Sequence, residues 1–437
     1  MNGGALGAPL LRHLAFSGLG TVARLASALV SFSVTARCLG PEPFGVLMGA
    51  LSLALVLALP SNFGLHIRVV RDVATDPERV GAIVSEAVSA KALAAGLSTL
   101  AALGVALAMP PDAALLLLAM YAAMLAEAHT EFQVACLRAL GRFGADARMS
   151  VHAGWLYALA VGVTAAATAS VAAVAAAFVV SRGVMAAACA VELRRHMPPM
   201  RWLGLAAAWH RLRTSTAYAF DHALTALFGQ VDGVVLNHLL GPVAVGVHQA
   251  GMRVFMAAAQ AGPVLANVFL PRVSAALAAQ GADAAARRRS ELARMQLTFV
   301  AVGAAVGAGL VLGARPLVMV AFGPRFEALV ALMPWFGLLF QVRFAAIAWG
   351  VTLTSAGDQA FRARASLAHW LLIGALAWAW VPAHGPAGWL MALVAGNAAL
   401  GAMYLVRVLR GIATPDTWRI AAVSWALLLP HARWLAP

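Results

Sequence analysis

The chain has 437 residues, 62% of them hydrophobic and 11% charged, with a mean hydropathy of +0.84. A soluble protein of this length could not cover so much apolar surface with so few charged side chains, so the composition excludes a water-soluble globule and indicates an integral membrane protein. The net charge of +14 lacks the interleaved aromatics of a nucleic-acid surface; no nucleic acid is expected, and anionic lipid headgroups are the natural partners.

Apolar runs long enough to cross hydrocarbon recur about twelve times, and the alternating pattern of a membrane barrel is missing. They fall near 14–36, 43–65, 83–108, 113–135, 149–169, 171–191, 216–238, 243–270, 295–320, 327–354, 364–382 and 386–406. A last apolar stretch, Ile420 to Leu435, fits either an interfacial segment or a short thirteenth span. The predicted fold is therefore all-α and polytopic. Alternate loops are rich in arginine (Arg68, Arg71 and Arg79; Arg138, Arg142 and Arg148; Arg194 to Arg213; Arg272 to Arg294), whereas the opposite loops hold Arg37, Arg315 and Arg325. This bias places the basic loops and the N-terminus in the cytoplasm.

The first span carries Ser17, Thr21, Arg24, Ser27, Ser31 and Thr35 at steps of three or four, which puts all six on one helical face. A guanidinium near mid-bilayer must meet water, an anion or a carboxylate, so Arg24 lines a water-filled cavity or forms a structural pair. The span ends in Leu39-Gly40-Pro41, followed by Gly45 and Val46, and the same phrase returns at Leu240-Gly241-Pro242, Gly246 and Val247. Each copy joins two apolar runs, as expected of duplicated halves around a central site. The halves are predicted as two six-helix lobes, 1–195 and 214–410, around a cleft, with a cytoplasmic linker 196–213 and a tail 411–437.

In the fourth span Glu127 and Glu131 stand one turn apart, with His129 on another face. The carboxylates either neutralise a neighbouring arginine or carry a coupling proton; the faces do not suit a metal. Lys91, Arg182 and Arg343 are intramembrane ionisables for which snorkelling or pairing is the expected explanation.

In the seventh span Asp221, Thr225, Phe228 and Asp232 share a face. The repeat offset aligns Thr225 with Arg24 and Asp232 with Ser31. Asp232 fits two roles, a coupling site or a structural charge pair, and Asp221 is either a cavity residue or interfacial. The eighth span adds Gln249, Arg253, Gln260 and Asn267 at steps of four, seven and seven, a stripe that packing against lipid does not need. Cys38, Cys136 and Cys189 are too scattered for a disulfide framework or a zinc site. No nucleotide-binding Gly-Lys-Ser/Thr loop and no enzyme constellation is found, so no cofactor and no catalytic residue are expected.

Four segments match a known family in order and at the expected spans. Ala36 to Gly45 resembles the first-loop signature of Wzx-type oligosaccharide flippases, and Gly64-Leu65 followed by Arg71-Asp72-Val73-Ala74 resembles their second span end. Asp232 with Leu239 to Pro242 and Gly246, and Ala321 to Phe326, are similar to two further junctions. The resemblance implies a member of the multidrug, oligosaccharidyl-lipid and polysaccharide exporter superfamily, with two lobes forming a V around a cleft. It implies a secondary-active flippase moving a polyprenyl-diphosphate-linked glycan across a bacterial inner membrane, in company with a glycan polymerase and glycosyltransferases. Arg24 and Arg253 are the cavity cations it implies, with Ser31, Thr225, Gln249 and Gln260 beside them. A multidrug exporter and a non-transporting scaffold of a glycan assembly complex are the alternatives; an exporter's cationic cargo would suit carboxylates better than two arginines.

Overall fold

The computed structural model describes residues 27–197, 200–216, 218–219, 223, 227 and 230–411. Among them every regular element is helical, and the chain divides into two compact units, Met1–His238 and Leu239–Pro437. Ten helical segments are long and apolar enough to cross a bilayer. Two shorter apolar helices, Ser27–Leu39 and Val231–Leu240, stand where the first and seventh spans are expected. The protein is a multi-pass membrane protein; Ile420 to Leu435 lies outside the described residues.

Unit 1 contains α1 (Ser27–Leu39), α2 (Pro41–Asn62), α3 (Leu65–Thr75), α4 (Val80–Leu107), α5 (Pro111–Ala139), α6 (Phe143–Thr168), α7 (Val171–Arg194), α8 (Leu205–Thr214) and all but the last two residues of α9 (Val231–Leu240). Unit 2 contains α10 (Pro242–Ala259), α11 (Ala261–Ala278), α12 (Ala284–Leu312), α13 (Ala314–Ala321), α14 (Met333–Ser355), α15 (Gln359–His384) and α16 (Pro386–Gly411).

The two Leu-Gly-Pro phrases adopt the same backbone. Gly40 has φ 85° and ψ 172°, Gly241 has φ 81° and ψ −178°, and each is followed by proline at the first position of a helix. Only glycine takes that positive φ without strain, and proline starts a helix at no hydrogen-bonding cost. The amides of Phe44 and Val245 then donate to the Gly40 and Gly241 carbonyls, at 3.1 and 3.4 Å. The sequence repeat is a repeat of local structure.

Two helices arise where the hydropathy pattern shows only loops. α3 buries Leu65, Val69 and Val73 on one face and turns its arginines to the other. α8 forms within the predicted linker and buries Ala208, Arg211 and Leu212. Just before it, the amides of Arg201 and Leu203 donate to Ser85 Oγ and Ser89 Oγ of α4 at 3.2 and 3.0 Å. The linker is therefore fastened along α4.

Unit 2 is held by aromatic stacking. Phe269, Phe299, Phe344, Phe340, Phe255, Phe336 and His248 form a continuous chain of ring contacts, the tightest being Phe340 on Phe344 at 4.2 Å. These rings knit α10, α11, α12 and α14 together by area and ring geometry, the packing route open to helices in lipid.

Candidate functional site

The polar stripe of α1 turns inward. Ser27, Ser31 and Thr35 are all buried, Thr35 Oγ1 donates to the Ser31 carbonyl at 2.8 Å, and Ser31 Oγ has no hydrogen-bond partner among the described residues. Arg24, Asp221 and Thr225 lie outside the described residues.

The stripe of the eighth span is graded. Gln249 is fully buried, Arg253 half-buried and Gln260 exposed. The grading follows from a helix break: α10 stops at Ala259, Gln260 forms the joint, and α11 starts at Ala261. A side chain at a joint escapes the packing that seals one in mid-helix. Ser31 and Gln249 are closed to solvent in this conformation.

The two carboxylates of α5 have separate partners. Glu127 Oε2 lies 3.0 Å from Arg182 Nη2 of α7, and the Arg182 guanidinium covers the Tyr157 ring at 4.6 Å. Tyr157 in turn packs on Phe178 and Phe32, which ties α6, α7 and α1 to the ion pair. Glu131 Oε2 accepts from Asn62 Nδ2 at 2.6 Å, and its Oε1 is 3.6 Å from His66 Nε2. One turn of sequence thus separates a carboxylate locked to arginine from one held by an amide and an imidazole.

Lys91 departs from expectation. Among the described residues it neither snorkels nor forms a direct ion pair: it is 4% exposed, donates to the Ser61 carbonyl at 3.1 Å and lies 5.7 Å from the centre of the Phe132 ring. The donor–acceptor pair exists because α2 ends one residue later, at Asn62, leaving carbonyls without helical donors. Further along α4, Ser98 Oγ donates to the Leu57 carbonyl at 2.6 Å and meets Tyr121 Oη at 2.8 Å, extending the polar line between α2, α4 and α5.

Asp232 is buried in the first turn of α9, where its Oδ1 accepts from the Gly233 amide at 2.8 Å. A carboxylate in that turn also meets the positive end of the helix dipole. Arg211, absent from the sequence-level candidates, sits at the centre of a charge network with Arg68. It donates to Asp72 Oδ2 at 2.6 Å and lies 3.6 Å from Glu86, while Arg68 donates to the Arg211 carbonyl, Thr214 Oγ1 and Ser215 Oγ. Among the described residues no group of histidine, cysteine and carboxylate side chains could hold a metal.

Residues 10–277 match the profile of the family described as Polysaccharide biosynthesis protein. No curated protein sequence matches the chain. Solved structures with the same fold include an inward-facing multidrug resistance MATE family transporter of the MOP superfamily, at 15% identity over 92% of this chain and 95% of that one, with a TM-score of 0.63. The lipid II flippase MurJ, in an inward closed conformation, is similar at 11% identity over 95% of this chain and 92% of its own, with a TM-score of 0.63. A MOP superfamily transporter from Pyrococcus furiosus Vc1 (DSM3638), described as having a binding pocket of reverse polarity, is similar at 15% identity over 94% and 96%, with a TM-score of 0.54. At these identities the likeness is one of fold.

Proposed function

From the premise that this chain belongs to the polysaccharide biosynthesis protein family, we propose that it is a secondary-active flippase carrying a polyprenyl-diphosphate-linked oligosaccharide across a bacterial inner membrane. The observation that carries this reading is the sign of the charge inside unit 2. Its helices carry Arg253 and Arg343 within apolar runs of sequence, whereas the carboxylates of 239–411 stand at segment ends: Asp283, Glu291, Glu327 and Asp358. Three of those are engaged there, Glu291 by Arg272, Glu327 by Arg315 and Asp358 by Arg407. The interior of these helices is cationic, and a diphosphate is the part of a lipid-linked sugar that hydrocarbon rejects most strongly.

Arginine suits that task, since its planar donors grip phosphate oxygens in pairs. In this reading Arg24 and Arg253 hold the diphosphate, while Ser31, Thr225, Gln249 and Gln260 offer hydrogen bonds to the sugar. The polyprenyl tail stays in lipid. The lobes are 1–195 and 214–410, joined by 196–213, with the N-terminus in the cytoplasm. Rocking of the lobes opens the buried members of the stripes, Ser31 and Gln249, first to one side and then to the other. Glycosyltransferases supply the substrate, and a glycan polymerase takes it onward.

The test is surface glycan in cells producing Arg24→Gln/Arg253→Gln protein at wild-type level. The reading predicts loss of surface glycan with accumulation of the lipid-linked precursor. Normal surface glycan would refute the assignment.

A further inference from the structure

We propose that residues 201–214 form an anionic-lipid site, with Trp202, Leu205 and Trp209 set at the acyl boundary and Arg201 and Arg213 on headgroup phosphates. The helix against which the segment lies gives its depth. α4 has 28 residues, about 42 Å at 1.5 Å per residue, which matches a bilayer with its headgroups. Ser85 and Ser89, whose hydroxyls accept from the Arg201 and Leu203 amides, lie about 8 and 14 Å along that axis from Val80. The strap 201–203 therefore reaches the level of the headgroups and the first acyl carbons. Backbone amides at that level find little water and need partners within the protein. Two serines one turn apart on α4 supply them.

Gly204, at φ 88°, turns the strap into α8, which presents two unlike faces. Ala208, Arg211 and Leu212 are buried on one, and Arg211 is paired there with Asp72 of α3 and Glu86 of α4. Leu205, Trp209 and Arg213 follow at steps of four on the other. Among the described residues nothing covers that row: Leu205 is 66% exposed, Trp209 60%, and Arg213 is exposed as well. Trp202, just ahead of the helix, is 54% exposed and stands beside the exposed Arg201.

The segment thus divides its arginines. Arg211 turns inward to two carboxylates, whereas Arg201 and Arg213 turn outward and form no ion pair among the described residues. The outward row is apolar in the middle and cationic at both ends, the complement of acyl carbons beneath negative headgroups. Indole rings belong at that boundary, since each joins a large apolar face to one N–H donor. Depth decides between lipid and a protein occupant: a water-soluble partner would have to displace the bilayer that already surrounds α4. Bound in this way, α8 fixes the height of unit 1 in the membrane, with Asp72 and Glu86 passing the hold on to α3 and α4.

The experiment places a bimane fluorophore at Ala206→Cys, on the exposed side of α8, in full-length protein whose Cys38, Cys136 and Cys189 are replaced by alanine. The protein is held in phosphatidylcholine nanodiscs containing a small fraction of nitroxide lipid, labelled at carbon 5 of one acyl chain. The nitroxide lipid is phosphatidylglycerol in one set and phosphatidylcholine in the other, and iodide is the quencher from water. Both lipids are expected to quench the label more than iodide does, and phosphatidylglycerol more strongly than phosphatidylcholine. An arginine near an anionic surface enriches it about fivefold, so Arg201→Gln and Arg213→Gln are each expected to lower the phosphatidylglycerol preference by about that factor. The two side chains are exposed, so an unchanged Tm is expected for both variants. Molar salt is expected to abolish the preference and leave quenching by phosphatidylcholine. Leu205→Ser/Trp209→Ser is expected to shift quenching from nitroxide to iodide. Equal quenching by the two lipids, or a preference that Arg201→Gln/Arg213→Gln leaves unchanged, overturns the anionic-lipid site. A label that iodide alone reaches shows the face open to water, and one that no quencher reaches shows it covered by protein; either result overturns the proposal.

Discussion

Arg211 Nη2 donates to Asp72 Oδ2 at 2.6 Å, joining α8 to α3 across 139 positions of sequence. The arginine is 6% exposed and its carboxylate partner about a quarter exposed, so the pair is shielded from the screening that makes surface ion pairs weak. Removing it with Arg211→Ala leaves Asp72 to Arg68 alone, 3.3 Å away, and takes the cation from Glu86, at a cost of about 2 kcal/mol, between that of a surface pair and that of a fully buried one. Thermal unfolding of the detergent-solubilised protein checks this. Arg211→Ala is expected to lower the Tm well below that of Arg213→Ala, whose side chain is exposed.

Arg182 offers a different test, because it both pairs and stacks. Lysine would keep the charge opposite Glu127 but lose the flat contact with Tyr157. Arg182→Lys is therefore expected to destabilise by about 1 kcal/mol, the scale of a cation–π contact of this kind. Combining Arg182→Lys with Tyr157→Leu should add little beyond Tyr157→Leu alone. Full additivity in the double-mutant cycle would show that the stacking contributes nothing.

α12 and α14 touch backbone to backbone at two glycines. A β-carbon on Gly307 would lie 2.8 Å from the Gly337 carbonyl oxygen, and one on Gly337 would lie 2.7 Å from that of Gly307. Small residues let helices approach in this way, and a larger side chain forces them apart. Gly307→Val is expected to cost about 2 kcal/mol or more by overpacking. Gly309→Val, where a β-carbon meets nothing within 4 Å, serves as the control.

Asp232 has a local role that an amide can share. Its Oδ1 accepts from the Gly233 amide, and the Oδ1 of asparagine accepts equally well. Asp232→Asn is therefore expected to keep gradient-driven transport. Loss of that response with normal folding would make Asp232 a coupling site.

The fold was legible because a bilayer demands long, self-satisfied helices, and each leaves a continuous apolar run. The Leu-Gly-Pro phrase was legible for a related reason: a positive-φ glycine followed by proline has few uses other than ending one helix and starting the next. α3 and α8 escaped notice because each is too short and too polar to register as a span. Their amphipathic faces become informative only beside α4 and α5. Glu127 and Arg182 were both recognisable as ionisable groups in apolar runs, but their pairing spans two helices and is a tertiary fact. Lys91 illustrates the limit most sharply. Its position in an apolar run suggested snorkelling or pairing, yet its ammonium sits on a carbonyl exposed by the end of another helix, 30 positions away. No pattern within α4 carries that information.

In the proposed function this protein moves an anionic lipid-linked glycan between leaflets with no other protein present. Purified protein reconstituted into liposomes with a fluorescent polyprenyl-diphosphate disaccharide in both leaflets tests it directly, by the fraction of probe that a membrane-impermeant quencher can reach over time. Wild type is predicted to move probe between leaflets until the inner pool becomes accessible, while Arg24→Gln/Arg253→Gln leaves the inner pool protected. An inner pool that stays protected with folded wild-type protein, or that becomes accessible equally fast with the double variant, would contradict the account.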